Sequence, residues 1–280
     1  MIVVAGANGM LGKDIVSLLG KRCRGIDIGD IDITSHESVE KALMLLKPSV
    51  VINCAAYTDV DGCETETDRA IEVNGEGVAC LAMVTRELGA KLVHISSDYI
   101  FDGEKGAPYL EDDPPNPLSI YGKSKLAGEL NAVFNENHII VRSEWLYGVH
   151  GKNFVETILR LSEEKEELNV VTDQIGSPTW TADLAKAVVA LLEKDCRGIY
   201  HAAGSGSCSW NEFAKAILGS AGISTNVREI TSEELNRPAR RPRYSLLSCE
   251  KLARDTGFVM QPWEKALRLY MDLRKNGIRR

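Results

Sequence analysis

Met1-Ile2-Val3-Val4-Ala5-Gly6-Ala7-Asn8-Gly9-Met10-Leu11-Gly12, continued by Lys13-Asp14-Ile15-Val16-Ser17-Leu18-Leu19, decides the fold. Apolar, mostly β-branched residues run into glycines at 6, 9 and 12, after which apolar positions recur at helical spacing. The stretch therefore reads as strand, tight turn and helix. Glycines let the backbone come close to a ligand, and the helix behind them offers unpaired N–H groups and the positive end of its dipole. That combination suits a pyrophosphate. The spacing differs from G-x-G-x-x-G, with Asn8 in the second place, and such turns also occur without a ligand. The residues that follow must decide between the two.

Working outward, Arg22 to Asp27 reads as a second strand ending in a carboxylate about 20 residues past the first glycine, where a dinucleotide fold places an acid on the adenosine ribose. Asp32-Ile33-Thr34 leads into a helix with Thr34 and Glu37 as a capping box, and Pro48 closes the segment. Ser49 to Ala56 is too short an apolar run for a helix and reads as a buried parallel strand. Its small terminal residues Cys54, Ala55 and Ala56 leave room for a cofactor. Thr67 to Leu88 carries one continuous apolar stripe and predicts a single long helix. Lys91 to Ser97 is the fourth strand, Ser119 to Phe134 a helix, and His138 to Arg142 the fifth strand. This alternation predicts an α/β protein with a doubly wound parallel sheet of the Rossmann type, its ligand beyond the carboxyl ends of the strands. The residues expected along the cofactor are Gly6, Gly9, Met10, Leu11, Gly12, Asp27, Asp32, Ile33, Cys54, Ala55 and Ala56.

Beyond Tyr147-Gly148 the elements shorten: a helix at 152–163, a strand from Leu168 to Val171, a helix from Thr181 to Lys194 and a strand from Gly198 to His201. Ser209-Trp210-Asn211-Glu212 is a second capping box, and Arg237 to Arg243 forms a basic, proline-stiffened loop. The expectation is a dinucleotide-binding domain over 1–148 and a smaller, mainly substrate-binding lobe over 149–280, interleaved with the last strands of the sheet. The 280 residues carry a net charge of −7, which argues against nucleic acid as a partner. Seven scattered cysteines without zinc spacing read as reduced thiols. No apolar run approaches the ~18 residues of a membrane span. With a strand starting at Met1, the expectation is a cytoplasmic protein without a membrane partner.

Tyr121-Gly122-Lys123-Ser124-Lys125 places a phenol and an ammonium on one helix face. Tyr-x-x-x-Lys is common by chance, so its context supplies the weight. Bringing a phenol from ~10 to neutrality requires about 4 kcal/mol, and one cation at ~4 Å in an effective dielectric of ~20 supplies about that. The pair can thus serve as a general acid. Ser97, ending the fourth strand beside Ser96, can donate to a carbonyl oxygen as charge develops on it.

Together these motifs resemble the extended short-chain dehydrogenases, in which the Gly-x-x-Gly-x-x-Gly turn occurs, and specifically the dTDP-4-dehydrorhamnose reductases. The resemblance is carried by the glycine turn, Ala55-Ala56-Tyr57-Thr58 with Val60-Asp61, and Ser96-Ser97-Asp98-Tyr99 with Phe101-Asp102-Gly103. It continues through Tyr121 to Lys125, Arg142 with Trp145 and Tyr147-Gly148, Asp173-Gln174 with Pro178-Thr179, and Arg240-Arg241-Pro242. It implies hydride transfer from NADH or NADPH to C4 of a dTDP-bound 4-keto sugar. Tyr121 would protonate the nascent alkoxide, Lys125 would hold the nicotinamide ribose and tune Tyr121, and Ser97 would polarise the carbonyl. Ser97, Asp98, Tyr99, Trp145, Arg240 and Arg241 would line the substrate, Trp145 walling the sugar and the arginines, with Arg243, reaching its diphosphate. Two positions depart from the family pattern: Ser97 stands where Thr is usual, and Glu144 where Ser is usual, putting an acid beside the expected sugar site. Some relatives carry Mg2+ between subunits, and Asp14 and Asp272 lie roughly where its ligands would originate; acids near helix ends are ordinarily just solvated, so no metal ligand is assigned. A homodimer is the matching expectation. Two other readings stay open: a nucleotide-sugar epimerase or dehydratase of the same class, and a regulatory subunit that binds the cofactor without turnover.

Overall fold

The computed structural model describes residues 1–276, so 277–280 of the expected second lobe lie outside the described residues. In chain order the first half contains β1 (Ile2–Ala5), α1 (Met10–Leu19), β2 (Cys23–Ile26), α2 (His36–Leu46), β3 (Val50–Asn53), α3 (Thr67–Ile71), α4 (Gly77–Glu87), β4 (Lys91–Ser97), α5 (Ile120–Ala132) and β5 (His138–Ser143). The second half contains β6 (Leu146–Tyr147), α6 (Phe154–Glu164), β7 (Glu167–Val171), β8 (Ile175–Gly176), β9 (Thr179–Trp180), α7 (Thr181–Glu193) and β10 (Gly198–His201). It ends with β11 (Cys208–Ser209), α8 (Trp210–Ala221), β12 (Asn226–Ile230), α9 (Ser232–Leu235), α10 (Glu250–Thr256) and α11 (Trp263–Lys275).

Six parallel strands form the central sheet in the order β10-β5-β4-β3-β1-β2. Alternate residues point to opposite faces, and both faces are covered, which explains why the strands read as continuous apolar runs. Val3, Ala5, Val51, Leu92 and Ile140 pack under α2, α4 and the end of α5. Val4, Ile52, Val93, Ile139 and Val141 pack against α1, α7 and Leu252 of α10. The chain leaves β1 for β2 on one side and returns to β3 on the other, so a crevice opens at their carboxyl ends, where open α/β sheets take their ligands.

A second core gathers Tyr147, α6, α8, α11 and the parallel pair β7–β12. Its centre includes Phe213, Ile217, Leu267 and Tyr270. A smaller cluster, Ile100, Phe101, Tyr109, Ala203 and Leu247, supports the loop after β4. No helix among the described residues is long and apolar enough to cross a membrane, and all seven cysteines are free thiols.

Two local expectations are corrected. The cap of α2 is Ser35, which accepts from the Ser38 N–H, rather than Thr34 paired with Glu37. Thr34 instead donates its hydroxyl to Asp32 Oδ1 at 2.8 Å, a charged acceptor two residues back that outcompetes the helix end. The helix expected over Thr67 to Leu88 is interrupted by a π-turn at Glu72–Glu76. There Asn74 turns inward, accepting from the Tyr57 N–H and donating to the Tyr57 carbonyl and Ser124 Oγ.

Candidate active site

The site is assembled where β1, β3, β4 and β5 end. Gly6 adopts φ +74°, and a Cβ there would lie 2.5 Å from the Ala55 N. The ends of β1 and β3 therefore touch through a residue that only glycine can occupy. Gly9 caps α1 without a side-chain acceptor, as the cap residues of α7, α10 and α11 also do, but at α1 the cap is a glycine of the turn that faces the end of β3. The first N–H groups of α1, from Met10 onward, are thus left for an anion, and this cradle fits a dinucleotide pyrophosphate. Leu11 and Ile33, expected beside the cofactor, point their side chains into the two cores, so only their backbones can reach it. Asp27 accepts from the Asn8 N–H at 2.7 Å and the Ile28 N–H at 2.9 Å, tying the end of β2 to the glycine turn. Asp32 is exposed and accepts from Thr34. Cys54, Ala55 and Ala56 are half-buried at the end of β3. Asn53 Oδ1 fixes the Ala55 N–H, and buried His94 accompanies the Asn53 amide at 3.3 Å.

Ser97 lies at the tip of β4, followed by a single tight turn over Asp98–Ile100. Ser119 caps α5 and starts it against this turn. A Cβ at Gly122 would collide with the Tyr99 carbonyl oxygen, so glycine allows the helix to press in and seat Tyr121 beside Ser97. Tyr99 meets the Tyr121 ring edge-on at 5.3 Å. Burial, then Asp98 and Tyr99, push the Tyr121 hydroxyl upward from its usual range, while Ser97 draws it down. Lys125 is buried and donates to the Ile95 carbonyl at 2.7 Å. Burial lowers it to about 8, against the pull of Glu129 and Cys54. The ammonium turns to the strand carbonyl, and among the neighbours of the phenol Ser97 is the one that draws it down.

Trp145 has φ +47°, an uncommon conformation for an indole-bearing residue, just beyond β5. Its ring stacks on Trp210 of α8 at 3.6 Å and 9°, so one face is taken and only the remaining surface can wall a sugar. Glu144 does not stand as an acid in the sugar space. It is buried, accepting from the Ser177 N–H at 2.8 Å and the Leu247 N–H at 3.1 Å. Asp98, expected to touch the substrate, is also buried, with its Oδ1 2.9 Å from the Ser97 hydroxyl.

Of the basic loop, Arg240 and Arg243 are exposed. Arg241 makes two 3.1 Å bonds to Asp61, which also accepts from the Ala239 N–H and Arg237. The Arg241 charge faces the Tyr99 hydroxyl as well, which brings it to the site. Asp61, Asn74 and Ser245 received no role from sequence reasoning, because their partners lie far away in the chain. Asp61 stood within a quoted motif and could have been flagged as the acid facing the basic loop. Asp14 accepts from Thr181 Oγ1 at 2.5 Å and faces His150 at 3.9 Å, while Asp272 is exposed on α11. Among the described residues no group of three or more His, Cys, Asp or Glu is placed to hold a metal ion.

Residues 1–275 match the family model described as the RmlD substrate binding domain. The chain is 43% identical to the spore coat polysaccharide biosynthesis protein SpsK of Bacillus subtilis, over 98% of both chains. It is 41% identical to a dTDP-4-dehydrorhamnose reductase of Streptomyces griseus, covering 95% of this chain and 91% of that one. The crystal structure of dTDP-4-dehydrorhamnose reductase from Bacillus anthracis in complex with NADP superposes with a TM-score of 0.94 at 40% identity, covering 97% of this chain and 98% of that one.

Proposed function

The chain belongs to the RmlD substrate binding domain family, and from that premise we propose that it reduces the C4 keto group of dTDP-4-dehydro-L-rhamnose to give dTDP-L-rhamnose, using NAD(P)H. The observation that supports this most is the seating of Tyr121 against Ser97 at the end of β4, beside the uncapped glycine turn. Bound at the crevice between β1 and β3, the dinucleotide supplies the hydride. Gly6, Gly9, Met10 and Gly12 present backbone to its pyrophosphate, and Lys125 holds a ribose hydroxyl while keeping its bond to Ile95. Ser97 donates to the substrate carbonyl. Tyr121 gives its proton to the same oxygen as negative charge develops; a phenol raised by burial remains protonated at working pH and is ready to donate. Trp145 and Arg241 bound the sugar and diphosphate ends.

Asp27 leans the choice toward NADH, because its carboxylate accepts from a ribose 2′-hydroxyl and repels a 2′-phosphate. Arg22 is directed to Glu193, which leaves exposed Arg24 as the basic side chain of β2 that can offset it. Dual use with a modest NADH preference is expected. Comparing kcat/KM for the two reduced cofactors tests this, and a clear NADPH preference removes Asp27 from the role. The overall reading is tested by following reduced-cofactor absorbance with dTDP-4-keto-6-deoxy-L-mannose supplied. Binding of the cofactor without turnover of any 4-keto sugar nucleotide would replace the enzyme with the regulatory subunit.

A further inference from the structure

Behind Ser97 lie two buried carboxyl groups that the reaction outlined above does not use. Asp98 and Glu144 are each 1% exposed. Glu144 accepts at both oxygens: Oε1 takes the Leu247 N–H, and Oε2 takes the Ser177 N–H with Ser245 Oγ at 3.5 Å. Backbone N–H groups can only donate, and two of them aimed at the two oxygens favour the ionised carboxylate. Asp98 is in the opposite position. Its Oδ1 faces the Ser97 hydroxyl at 2.9 Å, a group able to donate or accept, and its Oδ2 is buried without a hydrogen-bond partner. A full negative charge on a buried oxygen without a partner is far costlier than a neutral acid there.

The direction of the Ser97–Asp98 bond matters for chemistry. Ser97 has one proton, and its oxygen already accepts from the Tyr99 N–H at 3.2 Å. If Asp98 is ionised, that single proton is drawn to Oδ1 and is lost to a substrate. If Asp98 is neutral, its own O–H can donate to Ser97 Oγ, and the Ser97 proton is free to point at a carbonyl. We infer that Asp98 is a positioning residue for the reduction: as a neutral acid it turns the Ser97 O–H toward the substrate carbonyl, and buried Glu144 is the negative charge that keeps it neutral. This rests on the reductase reading above. Burial raises both carboxyl groups above their usual range, Asp98 against the Ser245 and Ser97 hydroxyls that favour its ionised form, and two charges so close repel, so the pair gives up its protons in separate steps. The groups facing Asp98 are Tyr99 on its own turn, Tyr121 from α5 and Glu144 from the end of β5, with Ser245 from the loop before α10; the Arg241 cation engages Asp61 and Tyr99. The Cys208 and Cys249 thiols face Glu144.

The active form is the protonated one, so activity is lost as pH rises through the titration of the pair. The test is the pH profile of kcat with dTDP-4-keto-6-deoxy-L-mannose, from mildly acidic to mildly alkaline solution, for the parent, Asp98→Asn and Glu144→Gln. The parent rate should fall about tenfold per pH unit beyond the apparent pKa. Asp98→Asn should be several-fold slower at acidic pH, an amide being a weaker donor, but level across the range. Glu144→Gln should move the falling limb to lower pH, because the charge that keeps Asp98 neutral is gone. A protonated-carboxyl infrared band in mildly acidic solution should be present in the parent and lost in Asp98→Asn. The inference is overturned by a level parent profile, by the parental limb persisting in Asp98→Asn, or by an Asp98→Asn protein that binds cofactor yet is inactive at every pH. An unmoved limb in Glu144→Gln, which decides if Asp98→Asn does not fold, would also overturn it. A parent that turns over no 4-keto sugar nucleotide but shows the band retains the proton on Asp98 and loses the reductase reading; an active parent without the band does the reverse.

Discussion

Tyr121 and Lys125 share a helix face but work through different neighbours, and substitution separates them. The Tyr121 hydroxyl is assigned only to the transferred proton, so Tyr121→Phe should lower kcat by ~10²–10⁴-fold and change the cofactor Kd less than severalfold. Lys125→Met should weaken the cofactor as well as the rate, since its ammonium braces β4 at Ile95 and is the group proposed to hold the ribose. Normal turnover by Tyr121→Phe would refute the assignment. Trp145 is proposed to wall the sugar and stacks on Trp210, so Trp145→Ala should raise the sugar-nucleotide KM and cost about 0.5–1.5 kcal/mol of stacking. A much larger loss in denaturant titration, with KM unchanged, would make it a core residue only.

At the scale of elements, the start of α5 sets the reaction geometry. Ser119 accepts from the Gly122 N–H, and the missing Cβ of Gly122 lets that first turn sit on the Tyr99 carbonyl. Gly122→Ala stays within helical propensity but forces backbone against backbone, which costs about 1–3 kcal/mol. Because a displacement of about 1 Å can cost ~10²-fold in rate, kcat should fall far more than cofactor affinity. An alanine variant with parental kcat would show that Tyr121 is positioned from elsewhere. The π-turn at Glu72–Glu76 belongs to the same construction, since its Asn74 links the Tyr57 loop to Ser124 of α5.

Across the whole molecule, Asp61 ties the loop after β3 to the basic loop 180 residues later. Arg241 is already paired with Asp61, so the share proposed for it in substrate binding would include holding that loop against Tyr99. Calorimetric binding of dTDP should weaken by more than ~1 kcal/mol in Arg241→Ala and change little in Arg240→Ala or Arg243→Ala. Asp61→Asn distinguishes the two roles of Arg241. If the pair mainly anchors the loop, dTDP binds more weakly; tighter binding would mean that Asp61 competes with the diphosphate for the guanidinium.

The sequence alone determined the doubly wound sheet, the glycine turn at the end of β1 and the candidate trio Ser97, Tyr121 and Lys125. Strand periodicity, helical spacing and a strand–turn–helix junction are local properties, written over a few residues and enforced by backbone geometry. The Ser209–Glu212 capping box formed as written for the same reason. Only the tertiary structure decided which way long polar side chains turn. Thr34 lost its cap to a nearby carboxylate, Lys125 faces a strand carbonyl, Arg241 pairs with Asp61, and Glu144 bridges to backbone 33 and 103 residues further along the chain. These outcomes depend on which donors and acceptors are brought together when water is excluded, and neither burial nor a distant partner is encoded in local spacing.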